Sequence, residues 1–410
     1  MTRPPIVLAL FGILMTSGLL AQSDKDTPAA LQPPSVQHLD VLARETMVVE
    51  HPSGTLFVAG HRGGKLGDPP LLWKSQDDGL SWARVDVGSA ADDANGNADV
   101  DLAVGPHGTL YFVTMGIDVD TYKGTHIAVG VSEDVGTTWR WTTLSQKTLD
   151  DRPWVGVTPD GTAHVVWNDG QGVSHGVSTD RGSTWHERER IYPKGCSSHL
   201  AVGPAGELAV RITPDSASSH RYHEGVEFVA VSVDGGETWH IHDVPGERYW
   251  DPEWEYPDSS PRWVEPVAWD AAGALYLFWS EDRVLHTARS LDHGATWRAW
   301  DLGAEQGFAF FPYLVGGDEG RVLATWHAGE KRGPTSLHVG LVDFSDGAPQ
   351  MRRLASFLPD SWSGQPKVQA AAGEYFPAVF LSDGDIGVVS TIQDAEEKRF
   401  GFEWRRLRME

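Results

Sequence analysis

Ser75-Gln76-Asp77-Asp78-Gly79-Leu80-Ser81-Trp82 decides the fold, because its pattern, Ser-x-Asp-x-Gly-x-(Ser/Thr)-Trp, returns four more times. The other copies are Ser132/Asp134/Gly136/Thr138/Trp139, Ser178/Asp180/Gly182/Thr184/Trp185, Ser232/Asp234/Gly236/Thr238/Trp239 and Ser290/Asp292/Gly294/Thr296/Trp297. Successive copies start 57, 46, 54 and 58 residues apart. That period holds one four-stranded supersecondary unit and is too short for a separate domain, so the chain reads as a single repeat architecture. Each copy has the chemistry of a hairpin turn. The Asp accepts backbone N–H bonds across the turn, the Gly takes a positive φ that other residues resist, and the Trp is a large apolar anchor.

A second periodic signal surrounds the first. Short turns followed by alternating apolar runs occur at Pro52-Ser53-Gly54, Pro106-His107-Gly108, Pro159-Asp160-Gly161 and Pro204-Ala205-Gly206, then at Ala271-Ala272-Gly273, Asp318-Glu319-Gly320 and Ser382-Asp383-Gly384. Seven such turns predict seven units. In each, the turn joins an inner strand to a second strand, a third leads into the Ser-x-Asp turn, and a fourth leaves it. The last two units lack a good copy: Ser345-Asp346-Gly347 is a degenerate remnant, and the final unit, from 376 to about 405, stops after its third strand. Residues 36–42 are expected to supply the missing fourth strand and close a ring. The fold class is therefore all-β, a single β-propeller of four-stranded blades over residues 36–410.

The repeated motif resembles the Asp-box, or bacterial neuraminidase repeat, of the sialidase-like β-propellers. Asp151-Arg152-Pro153-Trp154-Val155 looks like the Asp-(Arg/Lys)-Pro-Trp signature of secreted Asp-box proteins, and Gly373-Glu374-Tyr375 resembles the Gly-(Asp/Glu)-Tyr that opens their last blade. Together the resemblance covers about residues 40–405. It implies boxes that act as structural turns on the face away from an active site. Sialidases have six blades, which keeps six as the alternative to seven. The box is shared by sialidases, sortilin-type receptors, glucan hydrolases and photosystem assembly factors, so the fold does not fix the function.

Bulk properties bound that function. Arg3 followed by an apolar run over residues 6–20, with Leu19-Leu20-Ala21 as cleavage site, reads as a signal peptide over residues 1–21, with residues 22–35 a flexible mature N-terminus. A secreted or periplasmic protein is expected. The formal charge is −24, and −25 once residues 1–21 with their one Arg are removed. Such a chain repels nucleic acid and anionic membrane, so neither is an expected partner after signal cleavage. Cys196 is the single cysteine, which rules out an intramolecular disulfide and reads as a small buried hydrophobe. A monomer acting on a glycan or other small-molecule substrate is expected.

The layout sorts the loops onto two faces, and chemistry is expected opposite the repeated turns, near the central channel. Inner strands begin there with Arg44 and Glu45, Asp99 and Asp101, Asp151 and Arg152, His199, Arg262 and Glu265, Tyr313, and Glu374 with Tyr375. Second strands end there with His61 and Arg62, Asp118, Asn168 and Asp169, Arg211, Glu281, Asp282 and Arg283, and His327. The resemblance implies sialidase chemistry: Arg side chains clamp a substrate carboxylate, a Tyr activated by a Glu attacks the anomeric carbon, and an Asp serves as acid/base. Arg62, Arg152, Arg211, Arg262 and Arg283 would form the clamp, joined by His199 in the funnel. Tyr375 or Tyr313 would be the nucleophile, Glu265 or Glu374 its base, and Asp99 or Asp151 the acid. The Phe/Tyr-Arg-Ile-Pro motif of the sialidase first blade is missing, and Ala43-Arg44-Glu45-Thr46-Met47 stands in its place.

Trp250 and Trp254, in a long loop rich in aromatics and carboxylates, read as a glycan-stacking surface or as a plug over the channel. No cofactor is expected; Asp93, Asn95, Asn97 and Asp99 place oxygen ligands at alternate positions, a calcium-like pattern that an Asp/Asn-rich turn also explains. The leading expectation is a secreted exo-sialidase-like glycoside hydrolase. The alternatives are a non-catalytic propeller that binds a glycan or protein, and a polysaccharide lyase acting beside a uronate carboxylate held by Arg.

Overall fold

The computed structural model of the protein describes residues 35–36, 43–216, 221–222, 226–246, 265–281, 283–329, 335–357, 375–394 and 399–409. Seven four-stranded antiparallel sheets follow one another round a ring, which decides between the two expected counts. The innermost strands are Arg44–Glu50, Val100–Val104, Asp150–Val157, Cys196–Val202, Val267–Trp269, Phe308–Gly316 and Ala378–Phe380. Blades one to six run from inner to outer strand in sequence order. In the seventh the outer strand is Ser35–Val36, paired antiparallel to Arg399–Leu407 with Ser35 opposite Trp404. The expected ring closure by the N-terminal segment is therefore present, beginning one residue earlier than read from the sequence; residues 37–42 lie outside the described residues, as do 1–34 with the expected signal. Second strands such as Leu56–His61, Ala163–Asp169 and Leu208–Thr213 are buried at every position, as strands covered on both faces by neighbouring blades must be.

The repeated motif makes the same hydrogen bonds each time. In the first copy the Ser75 hydroxyl donates to Asp77 Oδ1 (2.8 Å) and accepts the Gly79 N–H (2.9 Å), while Ser81 donates its N–H to Oδ1 (2.9 Å) and its hydroxyl to Oδ2 (2.5 Å). The second to fifth copies repeat this with Thr138, Thr184, Thr238 and Thr296 as the donors. Hydrogen bonds of this kind hold all five aspartates below the usual carboxylate range. In three of the turns the closing Trp packs back towards the preceding blade: Trp82 lies edge-on to Phe402 (5.1 Å) and Trp404 (5.8 Å), Trp185 to Tyr111 (6.5 Å), and Trp239 to His175 (5.5 Å), while Trp139 lies against Phe112 (6.1 Å) and Trp141 (6.2 Å) of its own blade.

Gly79 shows why the motif needs glycine. Its φ is +86°, and a Cβ there would collide with the Trp404 indole across the closing junction of the ring. Gly79→Ala is expected to cost about 2–4 kcal/mol through backbone strain and overpacking together. Urea denaturation checks this, with Gly54→Ala as the control: that glycine has the same positive φ (+80°) but open space around it, so only the strain remains.

A buried histidine pair sits between the second and third strands of blade three. His164 Nδ1 and His175 Nε2 are 3.1 Å apart with both rings fully buried, so one neutral imidazole donates to the other. Burial lowers the pKa of His164 to about 4 and of His175 to about 3. Because these folded-state values lie below the unfolded value of about 6.5, the stabilisation is complete above that pH and is lost as pH falls towards 4. The slope should approach about 1.4 kcal/mol per pH unit for each imidazole that must charge on unfolding. Stability measured from pH 8 to pH 4.5 should show this decline, and a His164→Leu/His175→Leu double variant should show a flatter one. An equal slope in the two proteins would remove the pair from the explanation.

Candidate functional site

Inner strands of four blades carry a bulge at the end opposite the repeated turns; that of blade four lies between Ser197 and His199, and the other three share a further feature. The ladder register shifts between Arg44 and Met47, between Asp151 and Trp154, and between Phe310 and Tyr313. Within each shift one residue adopts the left-handed region: Glu45 (φ 49°), Arg152 (φ 48°) and Phe311 (φ 49°). A non-glycine residue held there costs about 1–3 kcal/mol, and bulges of this kind re-aim side chains. Here two of the three, Glu45 and Arg152, act on the same carboxyl, that of Asp99 on blade two.

Glu45, Asp99 and His61 form a compact group in which the donor atoms all lie within 4.8 Å of one another. His61 Nε2 is 3.0 Å from Glu45 Oε2 and donates to it, because an ionised carboxylate only accepts, while His61 Nδ1 lies 3.0 Å from the Gly63 N–H and 3.1 Å from the Asn97 carbonyl. Burial raises the Glu45 pKa, but the hydrogen bond and charge of His61, the hydrogen bond from Asp99 and the charge of Arg44 outweigh it and leave the carboxyl well below its usual range. Asp99 moves the opposite way. Burial, then the charges of Glu45 and Asp151, push it well above its ordinary value against the pull of Arg152. The pair shares one proton, with Glu45 ionised and Asp99 neutral, as two carboxyls in one buried site must.

Tyr375 opens the seventh blade and completes the group. Its hydroxyl reaches Asp99 Oδ2 in a long hydrogen bond of 3.5 Å. The ring is fully buried and lies edge-on to Trp154 at 5.1 Å; Trp154 contacts His199 at 4.8 Å, and His199 contacts Tyr313 at 5.0 Å. Residues from blades three, four, six and seven thus form an aromatic floor around the axis. Burial lowers His199 to about 4, so it is neutral in this floor, and raises the Tyr313 phenol. Asp101 lies in the same inner strand as Asp99, accepts the N–H groups of Val155 (2.9 Å) and Leu102 (2.8 Å), and is pushed by burial to about 7.

Of the residues expected from the sequence, Asp99, Asp151, Arg152, His199, Tyr313 and Tyr375 are brought together here. Arg211 and Glu265 are brought to each other instead: their charged groups are 2.5 Å apart, both side chains are buried, and Glu227 takes a second Arg211 bond at 2.9 Å. Arg62 follows the second strand of blade one, Leu56–His61, with its Nε buried and without a hydrogen-bond partner. Arg283 is exposed in the turn between Leu275–Glu281 and Val284–Ser290. Glu374, Arg262, Trp250 and Trp254 lie outside the described residues. The calcium-like run has other uses: Asn95 Oδ1 accepts the Gly67 N–H (2.9 Å), and the Asn97 amide bonds the backbone of Gly64 and Ile117 (2.7–3.0 Å). Among the described residues, Glu45, His61 and Asp99 are the one His/carboxylate group compact enough to hold a metal ion. Sequence reasoning placed Glu45 and His61 at the funnel but gave them no role, because their partnership depends on a bulge that no motif announces.

No protein-family model matches the chain, and no curated protein matches it. Solved structures share its architecture. A fungal alcohol oxidase of the AA5 family, in complex with copper, matches with TM-score 0.55 at 11% identity, over 92% of this chain and 76% of that one. YCF48 from Cyanidioschyzon merolae matches with TM-score 0.52 at 13% identity, over 92% and 99%. An α-L-arabinanase from Penicillium chrysogenum, complexed with arabinobiose, matches with TM-score 0.48 at 14% identity, over 93% and 97%. Likeness at such identities speaks to fold alone, here through the first two, and leaves the chemistry to the residues.

Proposed function

We propose that this chain is a secreted carbohydrate-active enzyme, a sialidase-like glycoside hydrolase that works in the central funnel opposite the repeated turns. The observation that carries the reading is the hydrogen-bonded chain from Tyr375 to Asp99 to Glu45. As Tyr375 Oη attacks an anomeric carbon, its proton passes to Asp99 Oδ2, and Asp99 hands its own proton to ionised Glu45. A neutral phenol thereby becomes a nucleophile without a free negative charge facing the substrate. Asp151, on the neighbouring inner strand, is the carboxyl that exchanges the leaving-group proton. Arg152, whose charge acts on Asp99, supplies positive charge for an anionic sugar.

Release of a fluorescent aglycone from a panel of α-sialosides, α-L-arabinosides and other glycosides tests the reading. Turnover of one member by the wild type, abolished in Tyr375→Phe and in Asp99→Asn, is the expected result. Absence of turnover on every member, or turnover that survives both substitutions, would sink it.

A further inference from the structure

The repeat that builds the fold breaks off in two blades, and space opens at the breaks. In blade six the positions corresponding to Ser, Asp, Gly, Thr and Trp of the motif are Asp343, Ser345, Gly347, Pro349 and Gln350, so the indole is missing and the smaller Phe344 ring of that turn packs back onto Tyr276 (5.0 Å) and Trp300 (5.5 Å) of blade five. In blade seven the third strand ends at Leu407 and the fourth, Ser35–Val36, comes from the opposite end of the sequence, so no such turn joins them. A cleft lies at each junction. One of about 630 Å³ runs between blades five and six, lined by Tyr276, Arg289, Leu291, Glu319 and Phe344. The other, about 840 Å³, runs between blades six and seven, lined by Asp318, Arg321, Asp346, Arg352, Leu381 and Met409. Ser345 lines both, so the degenerate turn is a ridge dividing one surface. These volumes fall in the range of ligand clefts, about 300–1,000 Å³.

The surface belongs to the face of the repeated turns, away from Glu45 and Asp99. Its charge is acidic. Asp270, Asp318, Glu319, Asp343 and Asp346 line the clefts against three arginines, of which Arg321 is bound to Asp343 at 3.1 Å and Arg289 lies over the Phe344 ring at 5.1 Å. The aspartates of the five intact turns add ionised carboxylates to the same face. Leu291, at the mouth of the smaller cleft, is 72% exposed, an apolar side chain standing in water beside an aromatic wall.

We propose that this face docks a partner polypeptide through a basic segment presenting an aromatic side chain, which enters one of the clefts left open beside Phe344 and where blade seven has no turn. The kind of group that fits is set by the intact junctions, where an indole from a tight turn packs against the neighbouring blade, as Trp82, Trp185 and Trp239 do. The sign of the segment's charge is set by the carboxylates around the clefts. Aromatic anchors in desolvated pockets with charged surroundings are the usual source of affinity in such contacts.

The probe is the labelled peptide Lys-Lys-Gly-Trp-Gly-Lys-Lys, titrated by fluorescence anisotropy with the full chain, alongside a version with Ala for Trp. Ser382→Trp and Ala272→Trp place an indole at one cleft each from exposed turn positions; Ser382→Trp gives up the hydroxyl bond to Glu50 (2.9 Å) and keeps the backbone one, and near-UV circular dichroism verifies the fold of both. Saturable binding is expected, weakened at least about tenfold by the loss of the peptide Trp and by one of the two filled clefts, and unchanged in Tyr375→Phe. Binding that is absent at millimolar peptide, or equal for the Ala peptide, or equal in both filled variants, would overturn the proposal. Sedimentation without peptide completes the test: a dimer that Ser382→Trp dissociates would assign the surface to a second copy and overturn it as well.

Discussion

Turnover is expected to fall by about 10³-fold or more in Tyr375→Phe, with KM close to that of the wild type. In the proposed mechanism the phenol oxygen is the atom that reacts, whereas the ring does the packing. Phe keeps the edge-on contact with Trp154 and removes only the hydroxyl that meets Asp99 Oδ2 at 3.5 Å. A loss in kcat at constant KM is the mark of an interaction that matters in the transition state alone. Asp99→Asn should fall by about 10²–10⁴-fold, because an amide is close in shape to the neutral carboxylic acid yet cannot hand on a proton. If Tyr375→Phe retained a tenth of wild-type activity, the nucleophile would have to be sought elsewhere in the funnel.

The same chain of bonds sets the pH profile. Glu45 is held well below the usual carboxylate range, so the proton acceptor stays ionised far into acid. Asp99 is pushed well above that range, so its proton is present below the raised value and is lost as pH rises through it. Activity that relies on the relay should therefore show a plateau with its alkaline limb governed by Asp99, and the residual activity of Asp99→Asn should lack that limb. His61 contributes by donating to Glu45; in His61→Ala the Glu45 carboxyl should rise and carry the acid limb upward with it.

The propeller is legible in the sequence because each of its rules is local. Asp77, Gly79 and Trp82 fall within one turn, their spacing is fixed by hydrogen bonds across four residues, and five copies reveal a period that no single copy could. The funnel is legible only as a collection. Strand alternation says which ends of which strands face the axis, and that reasoning brought Asp99, Asp151, Arg152, Tyr313 and Tyr375 to one place. It could not say which of them touch. Contact depends on bulges at Glu45, Arg152 and Phe311, where non-glycine residues take a left-handed conformation that propensity counts against. Arg211 and Glu265 show the other limit. An Arg at the end of one strand and a Glu at the start of another look alike whether they meet a substrate or each other, and 54 residues separate them in the chain.

That Arg211–Glu265 pair gives the largest stability effect expected in the molecule. The Arg211 guanidinium donates to Glu265 (2.5 Å), to Glu227 (2.9 Å), and to the carbonyls of Ile212 and Phe228 (2.9 Å each), with 1% of its side chain exposed. Glu265 in turn is tied to blade four through the Ser198 hydroxyl, which its backbone carbonyl accepts at 3.0 Å. Arg211→Met keeps much of the apolar stem and removes every one of those donors. Two carboxylates and two carbonyls then face an apolar side chain, and breaking a buried pair in this way costs about 3–5 kcal/mol, because one charge is left uncompensated. A lowered Tm, by about 10 °C, should accompany it. Arg283→Met, at an exposed turn of blade five, should stay within about 0.5 kcal/mol of the wild type. Adding Glu265→Leu to Arg211→Met should recover part of the loss, since two apolar groups no longer strand a charge. Denaturant midpoints of the three variants decide the matter: if Arg211→Met were as mild as Arg283→Met, water would have to reach the pair, and the junction between blades four and five would be open where the structure closes it.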